Sequence, residues 1–226
     1  MATVISPALT KIFQQSLDSG KFPDDWRCLK KKGDKYLPSN YRPISLTCVS
    51  SKILEHIITS NLAKYLENQK KLTSGQHGFQ SCRSCESQLI DLTSHKVEVD
   101  ACFLDFSKLF DKVDHSKLVK KLIQITVNSQ VTNWTRNFLA QHTQIVVEDG
   151  YRSTAKPVTL GVSQESVVGS ALFLVYINDM LTDINSEVGL FADDTVIYNL
   201  AENNTELQDD LCKLEIWETG WMEHGI

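Results

Sequence analysis

The hydrophobic and polar positions along the chain follow two patterns, one typical of helices and one typical of strands. Helical patterns are predicted over residues 6–20, 49–69, 86–95, 107–123, 128–140 and 167–180, and over a last segment that carries Leu207, Leu211, Leu214, Trp217 and Trp221. Apolar runs predict strands over 97–106, 143–151 and 188–198, the last as two short strands that meet at an acidic pair. Because helices and strands do not alternate one-for-one, the pattern indicates an α+β domain.

Between the first two predicted helices lies a polar, basic stretch that prolines and a glycine mark as a loop or hairpin. Residues 21–75 carry 11 basic and 5 acidic side chains, whereas residues 171–226 carry 1 basic and 12 acidic ones. The formal net charge of -5 therefore combines a positive region with a negative one. This distribution favours a phosphate-binding face opposite an acidic face that attracts metal ions, and a chance gradient of solvated charges is the alternative.

Composition and length are those of an ordinary globular chain. The 226 residues are 42% hydrophobic and 23% charged, which suits one large domain or two small ones. No run of 18 apolar residues predicts a membrane span, and the N-terminus lacks the basic start and apolar core of a signal peptide. Six scattered cysteines favour reduced thiols, so we expect an intracellular protein, nuclear or cytoplasmic, rather than a secreted one.

Two of these cysteines raise a separate possibility. Cys82 and Cys85, with His77 just upstream, form half of a zinc-site pattern. No second pair with suitable spacing occurs, so free, incidental thiols are the favoured interpretation and a metal site is the alternative.

The stretch Leu190–Tyr198, LFADDTVIY, places two adjacent carboxylates, Asp193 and Asp194, in a run that otherwise suits a half-buried strand. Two like charges side by side in an apolar run are costly unless water or a cation stabilises them. A solvent-exposed acidic turn is the simplest explanation. However, a tight hairpin prefers Asn-Gly or Asp-Gly, so Asp-Asp is a poor choice for a turn with no other role.

A third carboxylate suggests a role for the acidic pair. Asp105 ends a predicted strand just where a helix begins, and Asp111 follows six residues later inside that helix. Carboxylates and substrate phosphate oxygens are ligands that magnesium prefers. Two divalent ions held in this way can stabilise both the attacking and the leaving oxygen of a phosphoryl transfer. Asp105 together with Asp193 and Asp194 is therefore a candidate metal site.

Several short sequence blocks occur in an order typical of one family. They are NYRPISL (40–46), QHGF (76–79), LDFSKLFDKVDH (104–115), GVSQESVVGSALF (161–173), YINDM (176–180) and FADD (191–194). The set resembles the reverse transcriptase of non-LTR (LINE-type, jockey-like) retrotransposons, in a truncated form. The resemblance implies the right-hand fold of a polymerase, with fingers and palm and with the thumb missing. It divides the chain into an N-terminal extension helix (1–28), basic fingers (29–96) and an incomplete palm (97–226) whose catalytic acidic hairpin lies near 188–198.

The resemblance also assigns roles to residues. Asp105, Asp193 and Asp194 match the catalytic carboxylates that bind the metal ions. Phe110 matches the aromatic steric gate that abuts the sugar of the incoming nucleotide and disfavours a 2′-hydroxyl, and a plain core aromatic is the alternative.

Three more residues match nucleotide-binding positions. Lys31 and Arg42 match basic residues that grip the triphosphate, for which ammonium and guanidinium groups are suited. Gln164 matches the glutamine that lines the nucleotide and template side of the pocket. Structural roles are the favoured interpretation of three other matching positions, Asp111, Gln76 and Gly78.

The reaction that the resemblance implies is RNA-directed DNA synthesis. The 3′-hydroxyl of a DNA primer attacks the α-phosphorus of a dNTP on an RNA template, with two Mg²⁺ ions, for which Mn²⁺ is a possible substitute. RNA and DNA backbones would be held electrostatically by the basic N-terminal region. No membrane partner is expected, and the sequence does not indicate a protein partner.

Departures from the family pattern keep a second function open. Ser163, Glu165 and Ser170 stand where the family has proline, glycine and proline, and Asp114 stands where proline is more common. Glu165 adds bulk and a negative charge close to a triphosphate. The alternative is thus a catalytically inactive retrotransposon relic, without a thumb, that at most binds nucleic acid, nucleotide or metal. A metal-dependent phosphohydrolase is a third possibility, although no hydrolase motif supports it.

Overall fold

The computed structural model describes residues 2–19, 49–94, 98–106, 109–125, 128–140, 143–145, 147–148, 151–163, 166–200 and 204–222. The helices within these ranges are α1 (Ala2–Ser19), α2 (Val49–Asn68), α3 (Cys85–Thr93), α4 (His115–Gln124), α5 (Ser129–Ala140), α6 (Val167–Ile177) and α7 (Asn204–Met222), with a short 3₁₀ helix at Leu109–Lys112. The strands are β1 (Val99–Asp105), β2 (Thr143–Gln144), β3 (Val147–Glu148), β4 (Tyr151–Arg152), β5 (Lys156–Pro157), β6 (Glu187–Phe191) and β7 (Asp194–Leu200). The predicted α+β class is confirmed.

A three-stranded antiparallel sheet in the order β1–β7–β6 carries the candidate site. The β1–β7 ladder runs from Val99 opposite Leu200 to Asp105 opposite Asp194. The strand predicted over 143–151 is wrong as a single element, because its described residues form three strands of two residues each. These belong to two small ladders, β2–β5 and β3–β4.

The two faces of β1 meet different surroundings. Cys102 and Leu104 pack against the hydrophobic core, whereas Ala101, Phe103 and Asp105 are exposed. Since successive side chains of a strand point to opposite faces, Asp105 lies on the open face of the sheet.

Helix α6 lies in the centre of the core, where it packs against α2 and α4. Every residue from Val168 to Ile177 except Ser170 is buried. A helix that is apolar on all sides is stable only when other elements surround it, and α6 has this character. None of the described helices is long and apolar enough to cross a membrane.

The prediction of a single helix over 107–123 is wrong, because the helical conformation is interrupted at Val113. The 3₁₀ helix ends at Lys112, and the backbone oxygen of Val113 accepts a hydrogen bond from the backbone N–H of Gly161 at 2.8 Å. Asp114 then caps α4, since its Oδ1 accepts from the backbone N–H of Lys117 at 2.8 Å. The aspartate found where the family more often has proline therefore starts a helix.

The spacing of the apolar residues predicts one buried face for α2, formed by Ile53, Leu54, Ile57, Ile58, Leu62 and Leu66. Leu54, Ile58, Leu62 and Leu66 are buried as predicted, and the prediction is wrong at the other two positions. Ile53 and Ile57 are 40% and 46% exposed. Ser51 and Glu55 are buried in their place.

Glu55 links α2 to the start of α6. Its Oε2 accepts from the backbone N–H of Val167 at 3.1 Å, and its Oε1 accepts from the hydroxyl of Ser51 at 3.1 Å. A carboxylate at a helix N-terminus satisfies free N–H groups and interacts favourably with the helix dipole. Burial nevertheless raises the pKa of Glu55 above its ordinary value of 4.5, against the opposing effect of these hydrogen bonds.

Replacing Glu55 with Gln should therefore change how stability depends on pH. A group whose pKa is raised in the folded state contributes stability that is fully present below the unfolded pKa and is lost as pH rises through the folded pKa. We expect the unaltered chain to lose stability relative to Glu55→Gln as the pH is raised from about 4.5 to neutral. Urea unfolding at a series of pH values measures this difference.

Glu67→Gln, at an exposed position of the same helix, controls for the loss of one negative charge. If the curves for the unaltered chain and Glu55→Gln stay parallel across this pH range, the buried carboxylate does not govern the pH dependence.

Candidate active site

The acidic hairpin is formed by β6 and β7, which are joined by a two-residue turn. Phe191 pairs with Asp194, so the turn residues are Ala192 and Asp193. Ala192 has a positive φ of 58°, which is uncommon for a residue with a side chain. The two acidic residues therefore do not share the turn: Asp193 is its second residue, and Asp194 is the first residue of β7.

Asp105 and Asp194 face each other across the sheet. They are register partners at the end of the β1–β7 ladder, and both are exposed. Directly opposite residues of an antiparallel pair have Cβ atoms roughly 4.5–5.5 Å apart, and like charges at such positions destabilise the sheet. No Lys, Arg or His side chain in the described part of the chain forms an ion pair with either carboxylate.

These carboxylates fit a divalent cation in part. Asp193 lies in the turn, immediately before Asp194. All three predicted carboxylates are therefore at one end of the sheet. Among the described residues, no group of three or more His, Cys, Asp or Glu side chains is arranged to hold one metal ion. Magnesium, however, is often bound by one or two carboxylates together with substrate phosphates, and the Asp105–Asp194 pair meets that requirement.

The QHGF segment pairs with the edge of the hairpin through an isolated parallel bridge between Gln76 and Leu190. The backbone N–H of His77 donates to the oxygen of Leu190 at 2.7 Å, and the N–H of Leu190 donates to the oxygen of Gly75 at 2.8 Å. Gly78 then passes so close to the turn that a Cβ atom there would lie 2.4 Å from the backbone nitrogen of Ala192. The structural role predicted for Gly78 is confirmed by this close approach.

A buried carboxylate of α7 anchors the start of β6. Asp210 is fully buried, and its Oδ2 accepts from the backbone N–H groups of Asn185 and Ser186 at 2.9 and 2.7 Å. Burial by itself would raise the pKa of Asp210, but the ion pair with Lys213 and these N–H groups outweigh it and hold the pKa below its ordinary value.

Phe110 lies in the hydrophobic core beside the site. Its ring stacks on that of Phe173 with centroids 3.8 Å apart, and Phe79 approaches it edge-on at 6.3 Å. Only 8% of Phe110 is exposed. The residue thus acts as a core aromatic, and its contact with a nucleotide stays a prediction.

The described residues before and after Gln164 are held by hydrogen bonds. Before it, the N–H of Val162 donates to the oxygen of Phe110 at 2.8 Å. After it, Ser166 caps α6 through Gly169, where a Cβ atom would lie 2.0 Å from the oxygen of Ser163. The predicted site residues Lys31, Arg42 and Gln164, and the divergent Glu165, lie outside the described residues.

The YINDM block connects three parts of the fold. Asn178 accepts from the N–H of Thr73 at 2.8 Å and donates to the oxygen of Lys71 at 2.7 Å. Asp179 pairs with the buried Lys121 of α4 at 2.6 Å and accepts from the indole of Trp217 at 3.1 Å. Burial lowers the pKa of Lys121, and Asp179 opposes that effect. We interpret this block as structural.

Of the three residues of the possible zinc half-site, His77 forms contacts with other side chains. Cys82 and Cys85 are exposed free thiols. The Nδ1 of His77 lies 2.8 Å from the hydroxyl of Ser87, and its Nε2 lies 3.2 Å from Arg83 and 3.3 Å from Asp91. Burial lowers the pKa of His77, as does Arg83, while Asp91 raises it.

An antiparallel sheet with paired carboxylates at the end of a tight hairpin, backed by helices, is an arrangement suited to metal-dependent phosphoryl transfer. The sequence profile described as "Reverse transcriptase (RNA-dependent DNA polymerase)" matches residues 29–220. The chain belongs to this reverse transcriptase family, that of the RNA-directed DNA polymerases.

Individual relatives agree with the family. The chain is 29% identical over 238 residues to the RNA-directed DNA polymerase from mobile element jockey of Drosophila melanogaster, covering 94% of this chain and 26% of that protein. It is 26% identical to the probable RNA-directed DNA polymerase from transposon BS of the same organism, covering 95% of this chain and 26% of that protein. The chain thus spans about a quarter of the length of these curated relatives.

A solved structure resembles the fold. It is an apo telomerase from Candida tropicalis truncated from the C-terminal domain, with a TM-score of 0.55 at 10% identity. The match covers 74% of this chain and 38% of the telomerase chain. At this identity the likeness extends to the mixed α+β fold alone.

The sequence patterns missed the buried polar residues that hold the site. Glu55 and Asp210 lie in helices, where a single acid in an amphipathic sequence looks like a solvated position. Gln76 was interpreted as structural, but the sequence did not indicate its contact with the turn.

A methyl group at Gly78 tests the close approach of the QHGF segment to the turn. We expect Gly78→Ala to lower the free energy of unfolding by about 1–3 kcal/mol, because the added Cβ meets backbone that cannot move aside freely. Urea unfolding of the two proteins measures the change.

Gly220→Ala provides the matched control, since nothing lies within 4 Å of a Cβ at that helical position. There the same substitution should be neutral or stabilise by up to about 1 kcal/mol. Equal stability of Gly78→Ala and the unaltered chain would contradict the described packing.

Proposed function

We propose that this chain is a polymerase segment of a non-LTR mobile element, which extends a DNA primer on an RNA template by adding dNTPs to its 3′-hydroxyl. The observation that carries the proposal is the register of β1 and β7, which places Asp105 opposite Asp194 beside Asp193 in a member of the reverse transcriptase family. In this proposal residues 1–28 are an extension, residues 29–96 the fingers and residues 97–226 the palm.

Asp105, Asp193 and Asp194 would hold two magnesium ions, for which manganese can substitute. The like-charged pair of Asp105 and Asp194 supports this fit, because its repulsion is uncompensated by any described basic side chain and a cation would relieve it. When bound, the ions would lower the pKa of the primer hydroxyl and neutralise the triphosphate.

The contribution of the protein itself is mainly positioning. The β6–β7 hairpin and β1 hold the carboxylates at one end of the sheet. Lys31 and Arg42 would bind the triphosphate and Gln164 would line the nucleotide pocket. Phe110, held by its stacking on Phe173, would abut the sugar of the incoming nucleotide and disfavour a 2′-hydroxyl. The positive net charge of residues 21–75 would bind the RNA and DNA backbones.

The second candidate function is a relic that binds nucleotide, nucleic acid or metal without catalysis. Glu165 favours it, because a negative charge stands next to Gln164 in the sequence, at a position where the resemblance leads us to expect glycine. Repulsion of a triphosphate by this carboxylate would weaken nucleotide binding.

Primer extension on an RNA template with dNTPs and magnesium tests the proposal. We expect extension by the unaltered chain and a loss of about 100-fold or more in Asp105→Asn and Asp193→Asn, since several kcal/mol of charge stabilisation is removed. The control is Asp100→Asn, a carboxylate of the same strand that alternation places on the other face, which should keep full activity.

Glu165→Gly separates the two candidate functions. Extension by this variant and none by the unaltered chain would establish the relic. Undiminished extension by Asp105→Asn would refute the assigned site. If neither the unaltered chain nor Glu165→Gly extends the primer, polymerase activity of this chain is refuted.

A further inference from the structure

The side chain of Gln76 joins the QHGF segment to the turn of the acidic hairpin. It is 2% exposed, and its Oε1 accepts from the backbone N–H of Ala192 at 3.2 Å and from that of Gly78 at 2.7 Å. Ala192 immediately precedes Asp193. One buried oxygen thus accepts hydrogen bonds from both the QHGF segment and the turn.

The turn is the part of the hairpin that most needs such a contact. Ala192 adopts a left-handed conformation with φ 58, which is unfavourable for a residue with a side chain. Unfavourable backbone conformations persist only where the surrounding structure fixes them. The bond from Gln76 fixes the N–H of Ala192, and this limits the orientations open to the peptide that leads into Asp193.

Gln76 is a poor choice for core packing alone. Its Nε2 is buried and has no hydrogen-bond partner among the residues that the structure describes. A buried amide donor without a partner lowers stability, whereas an apolar side chain of similar volume would not carry that cost. Retention of a costly polar group beside a functional site is typical of a trade of stability for function.

We propose that Gln76 is a positioning residue for the metal-binding carboxylates. By holding the Ala192 peptide it sets where Asp193 and Asp194 lie relative to Asp105. This inference rests on the proposed function, because it assigns Gln76 a role in the same metal site. Gln76 itself neither binds the metal nor touches the substrate.

The first part of the test uses the unaltered chain. If Gln76 holds the turn, the Ala192 amide should be protected from hydrogen exchange to a degree close to that of Leu190, which is bonded within the backbone. Exchange of Ala192 at the rate of an open amide would overturn the inference without the need for any variant.

The second part measures Mn²⁺ affinity by electron paramagnetic resonance in Gln76→Met, which keeps the volume and removes the acceptor oxygen. We expect affinity to fall about 10-fold, the loss typical when a residue that orients a metal ligand is replaced. A merely structural role would alter stability and leave the affinity of the folded protein unchanged. Asp193→Asn sets the level expected for direct loss of a ligand.

Thr195→Val is the matched control. Thr195 is buried in the same hairpin, and its hydroxyl likewise lacks a partner within the described residues, so this swap from polar to apolar should leave Mn²⁺ affinity within about twofold. If Gln76→Met retains the affinity of the unaltered chain, the inference is overturned and the proposed function stands. If the unaltered chain binds Mn²⁺ no better than Asp105→Asn, both are overturned.

Discussion

The pairing of β1 with β7 determines where the candidate metal-binding carboxylates lie. Seven residues of each strand are in register, and the last pair of the ladder is Asp105 with Asp194. Because side chains alternate between the two faces, a slip of one residue would turn Asp105 toward the core and Cys102 and Leu104 toward solvent. Burial of that apolar face therefore fixes the register, and the register in turn places the two carboxylates opposite each other. The repulsion between them is a cost that the apolar contacts below the sheet offset.

Buried polar side chains support this arrangement from three elements of the fold. Asp210 of α7 binds the backbone before β6, Gln76 binds the turn after β6, and Glu55 of α2 binds the start of α6. Each places a side-chain oxygen on backbone N–H groups that a strand or helix end leaves unpaired. The acidic hairpin is thus held at both ends by side chains that are distant in sequence. This explains how a tight turn without glycine can keep a left-handed residue beside two acids.

Much of the fold follows from local sequence patterns. The features that these patterns did not predict depend on contacts between residues distant in sequence. The helices over 49–69 and 128–140 were predictable because apolar periodicity reflects burial. The helix over 167–180 and the strand that ends at Asp105 were predictable as apolar runs. The break at Val113 was not, since it depends on a backbone bond to Gly161, nearly fifty residues away. The same holds for the buried face of α2, where Glu55 replaces an expected isoleucine because α6 offers it free N–H groups. For the candidate site, Asp105, Asp193 and Asp194 were predicted from their positions and from the resemblance, and their role in metal binding stays a prediction. The contact of Gln76 with the turn exists only in three dimensions.

We propose that the β1–β7 register builds a divalent metal site. Anomalous diffraction at the manganese edge, from crystals of the chain grown with Mn²⁺ and a non-hydrolysable dNTP analogue, tests this proposal most directly. We expect anomalous density between Asp105 and Asp194, in contact with the nucleotide phosphates. Nucleotide bound without such density, or manganese bound only at other carboxylates of the chain, would contradict it.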